Sequence, residues 1–216
     1  MFQEIIELLN GFKHLIDPEF IISYGGLSLL AIVVFAETGL MIGFFLPGDS
    51  LLFTAGLLCA TGIFQTNILI LTSVLVVAAI AGDQTGYIIG RKAGETLFKR
   101  DESWFFKPKY VEKTKDFYNR HGGKTIVMGR FVPIVRTFAP MVAGVAKLEY
   151  SKFVFFNISG GILWVLSMTL SGYFLGRTIP GIKEYLEVIV IGIIIVSVIP
   201  IIVTWLKERK LSKNLK

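Results

Sequence analysis

Apolar residues in this chain come in runs rather than at the spacing of a water-soluble helix or strand. Uncharged stretches occupy residues 20–36, 50–82, 153–176 and 188–206. The run from Ser50 to Gly82 is 33 residues long, that from Phe153 to Gly176 is 24, and that from Val188 to Leu206 is 19. About 20 apolar residues cross a bilayer as a helix, so the pattern predicts several membrane-spanning helices. Between the runs lies a polar linker in which Tyr110, Thr114, Phe117, Tyr118 and His121 recur at helical spacing. That is the pattern of an amphipathic helix lying in the membrane interface. The predicted class is an all-α polytopic membrane protein.

Two short motifs recur at one offset. Gly43-Phe-Phe-Leu-Pro47 aligns with Gly129-Arg-Phe-Val-Pro133, and Gly86-Tyr-Ile-Ile-Gly-Arg91 aligns with Gly172-Tyr-Phe-Leu-Gly-Arg177, each 86 residues apart. The shared offset points to an internal duplication. In the second copy Lys124 and Lys147 bracket Pro133 by nine and fourteen residues. As helix these arms reach about 14 Å and 21 Å, short of a hydrocarbon core of about 30 Å. The simplest geometry is a re-entrant hairpin that turns at Pro133, matched in the first copy by one around Pro47 and Gly48. For residues 20–60 a full pair of crossings is the other option. One hairpin plus one crossing is an odd count, so the two copies would be inserted upside down, as in many transporters.

The expected organisation follows. Residues 1–24 form an interfacial segment, 25–92 the first repeat, 93–121 the cytoplasmic amphipathic linker and 122–178 the second repeat. Residues 185–206 form a C-terminal transmembrane helix, and 207–216 a basic cytoplasmic tail.

Composition and charge sharpen this picture. Of 216 residues 53% are hydrophobic and 18% charged, below the roughly 25% charged of soluble domains. Residues 91–124 hold ten Lys/Arg and 207–216 hold five, giving net +5 and +4, whereas residues 1–36 carry −3. Cytoplasmic flanks collect Lys and Arg, so both basic segments, and with them the C-terminus, are expected in the cytoplasm. Anionic lipid headgroups are the sharper partner for such clusters, and nucleic acid is not a predicted one. The start, Met-Phe-Gln-Glu, has acidic residues where a secretory signal is positive, so that segment is expected to be retained. Cys59 is the single cysteine, which excludes a disulfide framework. With only His14 and His121 as histidines, no metal site and no cofactor are predicted.

Five charges interrupt the apolar segments: Glu37, Asp49, Asp83, Arg130 and Arg136. A charge at the centre of a membrane helix costs about 2.5–3.5 kcal/mol on insertion scales, so these groups need one another or water. Glu37 and Asp49 flank the Pro47 turn, and Arg130 and Arg136 flank the Pro133 turn. Two carboxylates would then face two guanidiniums. Arginine stays protonated and grips phosphate bidentately, whereas a buried carboxylate can take up a proton. Arg130 and Arg136 are therefore the candidate phosphate-headgroup binders, and Glu37 and Asp49 the candidate proton carriers. Asp83, in Gly82-Asp83-x-x-Gly86-Tyr87, is expected to pair with Arg91. Tyr87, Arg91 and Asn157 are supporting residues, and Trp164 shares with Asn157 the choice between lining a cavity and packing helices.

At these residues the chain resembles the DedA family of bacterial membrane proteins, whose shared domain also occurs in eukaryotic lipid scramblases of the VTT group. The motifs that carry the resemblance are Phe35-Ala-Glu37, Phe45-Leu-Pro-Gly-Asp49, Gly82-Asp83 with Tyr87-Ile-Ile-Gly-Arg91, and Gly129-Arg-Phe-Val-Pro-Ile-Val-Arg136 with Ala143-Gly144. The match runs from about residue 25 to residue 180. The resemblance implies an inner-membrane protein with two facing re-entrant hairpins. It also implies translocation of a lipid carrier, undecaprenyl phosphate or phosphatidylethanolamine in characterised members, and dependence on the proton motive force. Under it, Glu37, Asp49, Arg130 and Arg136 match functionally required positions. The partners are thus a phosphate-bearing lipid and protons, with a homodimer among the open oligomeric states. The alternative is a proton-coupled ion or small-solute antiporter. A lipid phosphatase would need an activated nucleophile, and with both histidines outside the hairpins an enzyme is not expected.

Overall fold

The computed structural model describes residues 18–40, 48–97, 124–131 and 133–179, which form six helices and, among the described residues, no strand. They are α1 (Pro18–Gly39), α2 (Gly48–Ala60), α3 (Ile68–Leu97), α4 (Lys124–Gly129), α5 (Pro133–Val145) and α6 (Tyr150–Thr178). Residues 1–17 of the expected interfacial segment, Pro47, most of the expected linker at 93–121, the segment 185–206 expected to be a transmembrane helix, and the basic tail lie outside the described residues.

Local chemistry sets the helix ends. In α1, Gly26 takes φ 56° and ψ −152°, a conformation open almost only to glycine, and the helix kinks there. The Asn67 side chain caps α3, its Oδ1 accepting from the Leu69 N–H at 2.8 Å. Pro133 opens α5, where a missing N–H costs nothing. Just before it, Arg130 and Phe131 donate their N–H groups three residues back, to Val127 and Met128 at 3.2 Å, so the chain tightens and breaks between α4 and α5. The end of α5 is a Schellman cap: Leu148 N–H bonds to Ala143 O at 3.1 Å and Lys147 N–H to Gly144 O at 3.0 Å. Lys147 holds the left-handed position, with φ 54°.

Two helices, Ile68–Ala93 within α3 and Tyr150–Thr178, are long and apolar enough to cross a membrane. Fewer than half of the residues in either apolar window are buried, and Leu69, Val77, Phe155, Leu163 and Phe174 point outward. An apolar outer face of this extent suits lipid rather than water. The remaining elements are short. α2 and α5 have 13 residues each and α4 has six, about 20 Å and 9 Å as helix.

The chain divides into two compact units. Unit 1 takes in Pro47–Gln65, with α2, and the chain from Met168 onward, with the end of α6. Unit 2 comprises Gly25–Leu46 and Thr66–Ser167, and so holds α1 beyond its kink, α3, α4, α5 and most of α6. In unit 1, α2 lies against α6 with backbone touching backbone: a Cβ on Gly56 would strike the Thr169 carbonyl, and one on Gly172 the Phe53 carbonyl. In unit 2, α5 meets α3 in the same way, Gly90 against Met141 O and Gly144 against Tyr87 O. A shift of 86 residues carries α2 onto 134–146, one residue from α5, and Gly172 and Gly176 onto Gly86 and Gly90. Each copy of the Gly-Tyr-x-x-Gly-Arg motif thus supplies the seat for a short helix of its own unit.

Candidate functional site

The site in unit 2 is built where three helices approach α3 closely. On one side, α1 touches α3 through glycine. A Cβ on Gly39 would lie 2.6 Å from Gly82 O, one on Gly82 would lie 2.6 Å from Phe35 O, and Thr38 Oγ1 lies 3.3 Å from Ala79 O as donor. This contact places Glu37, two residues before Gly39, and Asp83, next to Gly82, in the protein interior. On another side α5 carries Arg136 in its first turn, and the break before α5 carries Arg130. Asn157 and Trp164 come from α6, tied to α3 by Asn157 Nδ2, which donates to Ile80 O at 3.4 Å.

Four charges are buried here: Glu37, Asp83, Arg130 and Arg136 expose 4% or less of their surface. Arg136 Nη2 donates to Glu37 Oε1 at 2.5 Å, and its guanidinium lies over the Trp164 ring, 4.3 Å from the centroid. Trp164 itself is fully buried, so the cation–π contact operates where water does not compete for the charge. Arg130 Nη2 pairs with Asp83 Oδ2 and donates to Asn157 Oδ1. Two positive and two negative groups leave the cluster neutral, which is how charges persist in a low-dielectric interior. Around Asp83, Arg130, Arg136, Ala139, Pro140 and Asn157 lies a cavity of about 10 Å³, room for at most one water molecule. Arg130 Nε and Nη1 and both Asp83 oxygens make no hydrogen bond among the described residues.

The structure thus brings Glu37, Asp83, Arg130, Arg136 and Asn157 together. Asp49 stands half-buried in the first turn of α2, which belongs to unit 1, and Gly48 is buried at the start of that helix. Asp83 differs from its sequence expectation. It faces Arg130, because the close α1–α3 contact and the α4–α5 break turn it toward the interior, whereas the exposed Arg91 lies with Tyr87, Nη1 donating to the hydroxyl at 3.5 Å. Tyr87 in turn donates to Leu148 O at 2.6 Å and stacks on Phe153 at 4.5 Å. Tyr87 and Arg91 therefore clamp the α5–α6 turn and stand apart from the charge cluster.

Sequence reasoning missed the groove in which Arg130 lies. A Cβ on Gly160 would approach Arg130 Cδ to 2.8 Å and Nε to 3.0 Å, and one on Gly161 would lie 3.6 Å from Nη1. Adjacent glycines on a long apolar helix were the available signal, but that pattern is common wherever membrane helices pack. Among the described residues no three His, Cys, Asp or Glu side chains come together as a metal site would require.

Comparison with known proteins agrees with the motifs. Residues 46–174 match the VTT domain model. The chain is 45% identical to Protein DedA of Escherichia coli over 183 residues, 85% of this chain and 83% of that one. It is 40% identical to the uncharacterized membrane protein Rv0364 of Mycobacterium tuberculosis over 212 residues, covering 95% and 92% of the two chains. To the inner membrane protein YqjA of Escherichia coli it is 39% identical over 152 residues, 69% and 67% of the two. No solved structure matches. With the domain model covering more than half of the chain and DedA more than four fifths of it, this all-helical membrane protein belongs to the VTT-domain family that includes DedA.

Proposed function

We propose that this protein is a transporter of the bacterial inner membrane that moves a phosphate-bearing lipid, such as undecaprenyl phosphate or phosphatidylethanolamine, between leaflets under the proton gradient. The observation that carries this reading is the neutral quartet of Glu37, Asp83, Arg130 and Arg136, of which the last three line a cavity, with Arg130 Nε and Nη1 making no hydrogen bond among the described residues. A purely structural lock gains little from buried ion pairs, since apolar packing of similar volume often stabilises as well or better. A site that must receive an anion, by contrast, needs arginines that are neutralised while it is empty. Arg130 and Arg136 hold the headgroup phosphate, and Glu37 and Asp49 handle protons. The family relationship to the inner membrane protein YqjA supports the location.

The short helices support a re-entrant reading. At about 20 Å and 9 Å, α2, α5 and α4 fall short of a bilayer of about 30 Å. The repeated motifs support opposite insertion of the two copies, with the basic segments and the C-terminus in the cytoplasm.

Flux of a labelled prenyl phosphate in proteoliposomes, with and without an imposed pH gradient, tests the proposal. Wild-type protein should move the lipid faster with the gradient, and Arg130→Ala and Arg136→Ala should each abolish the increment. Gradient-driven flux of protons against a small cation, without competition from the prenyl phosphate, would instead identify an antiporter.

A further inference from the structure

The two arginines of the cluster are held in different ways. Arg136 sits inside α5, its guanidinium stacked on Trp164 and its Nη2 on Glu37. Arg130 sits on the non-helical turn between α4 and α5, and its side chain lies along the Gly160–Gly161 groove of α6. A guanidinium offers two forked edges, Nε with Nη2 and Nη1 with Nη2. In Arg130 Nη2 is engaged by Asp83 and Asn157, while Nε and Nη1 are buried and make no hydrogen bond among the described residues. Each fork is thus half used. Asp83 meets the arginine through Oδ2 alone, and neither of its oxygens makes a directed hydrogen bond among the described residues. A buried donor left unmade is costly, and an oxyanion that offers two oxygens along one edge removes that cost where Asp83 does not.

From this we infer that Asp83 is the internal counter-anion of Arg130, a stand-in that the substrate's phosphate displaces, so that Asp83–Arg130 is the exchangeable half of the site and Glu37–Arg136–Trp164 the fixed half. The inference rests on the phosphate reading above and assigns Asp83 a role that reading leaves empty. The present cavity of about 10 Å³ admits no phosphate, so binding requires a side chain to move. Asp83 is the one whose departure leaves Arg130 still held, by the neutral Asn157 Oδ1. Glu37 and Arg136, the other charged groups of the cluster, keep each other neutral while this happens.

The test compares wild type, Asp83→Asn, Arg130→Gln and the double variant as full chains in lipid nanodiscs, with hexyl phosphate and inorganic phosphate as probes. Asp83→Asn should bind hexyl phosphate at least about tenfold more tightly than wild type, the factor by which a site filled by its own carboxylate in some nine molecules of ten is weakened. The gain should vanish in the double variant. Equal or weaker binding by a folded Asp83→Asn protein overturns the inference. If Asp83→Asn unfolds alone, restoration of its fold by hexyl phosphate supports the inference, because a ligand that replaces the lost anion stabilises the folded state. Failure of the probe to restore it, while the double variant folds, overturns it. A preference for hexyl over inorganic phosphate assigns the anion to a lipid, and equal binding assigns it to the free ion. Wild-type binding that Arg130→Gln leaves unchanged defeats the phosphate reading itself, a result separate from the outcome at Asp83.

Discussion

Units 1 and 2 use one packing device for two different interiors. In both, a short helix lies against a long one through the glycines of a Gly-Tyr-x-x-Gly-Arg motif, Gly172 and Gly176 in unit 1 and Gly86 and Gly90 in unit 2. The buried polar positions have diverged. Where unit 2 places Arg136 and Asp83, the positions 86 residues away in unit 1 carry Ser50 and Thr169, both fully buried and uncharged. Glycine contacts are thus common to both units, whereas the buried ions among the described residues, drawn from both sequence copies, all belong to unit 2. A buried hydroxyl is neutral and costs little more than a hydrogen bond even when unpartnered, as Thr169 Oγ1 is among the described residues, whereas a buried guanidinium needs a counterion and a shaped space. Unit 2 supplies both through the α1–α3 contact and the Gly160–Gly161 groove.

The largest test of this contrast is the exchange at matched positions. Arg136→Ala should abolish lipid flux and destabilise the protein by about 3–5 kcal/mol, because Glu37 loses its ion-pair partner in the interior. Ser50→Ala should cost about 0.5–1.5 kcal/mol, the scale of a hydrogen bond, and leave flux near the wild-type rate. Thermal unfolding in detergent together with proteoliposome flux checks both. Equal loss of flux in the two variants would remove the functional distinction between the units.

The framework itself should respond alike in both units. Gly90→Ala drives a methyl into Met141 O, and Gly176→Ala brings one to 2.8 Å from Ala60 Cβ and 3.1 Å from Leu57 O. Each should lower stability by about 1–3 kcal/mol, the usual range for overpacking, with Gly90→Ala the more severe because backbone stands in the way. Thermal unfolding in detergent measures both. Near-equal melting temperatures for Gly176→Ala and wild type would show that the seat of unit 1 is tight at Gly56 and Gly172 but loose at Gly176.

The motif offset, the short arms and three of the four clustered charges were legible in the sequence because each depends on spacing or on residue type alone, but the fourth is Asp83, where the sequence pattern pointed to Asp49 of α2 in unit 1. A fixed offset of 86 residues survives divergence of everything between the motifs, and five charges in apolar surroundings must find partners or water. Which partner each finds depends on distances that no spacing encodes. Asp83 and Arg91 are eight residues apart on one helix, an attractive local pairing. The actual partner of Asp83 is 47 residues away and reaches it only because the chain breaks at Arg130 and α6 offers two glycines. Trp164 shows the same limit: nothing at residue 164 announces that Arg136 will lie over its ring.

The smallest expected difference concerns the tyrosines of the two motifs. Tyr87 is almost fully buried, donates to Leu148 O at 2.6 Å, accepts from Arg91 and stacks on Phe153. Its hydroxyl ties α3 to the cap that ends α5. Tyr173 is half-buried, and the Arg177 guanidinium stands 5.8 Å from its ring, a contact made by the ring rather than the hydroxyl. Removing the hydroxyl should therefore matter in one unit and hardly in the other. Tyr87→Phe should cost about 0.5–1.5 kcal/mol, since Leu148 O loses its donor. Tyr173→Phe keeps the aromatic face that attracts the cation and should leave the melting temperature close to that of wild type. Hydrogen exchange at the Leu148 amide gives the local readout. Its bond to Ala143 O closes the α5 cap, so faster exchange in Tyr87→Phe, and none in Tyr173→Phe, would show that the tyrosine hydroxyl fixes the turn only in the unit that carries the charges.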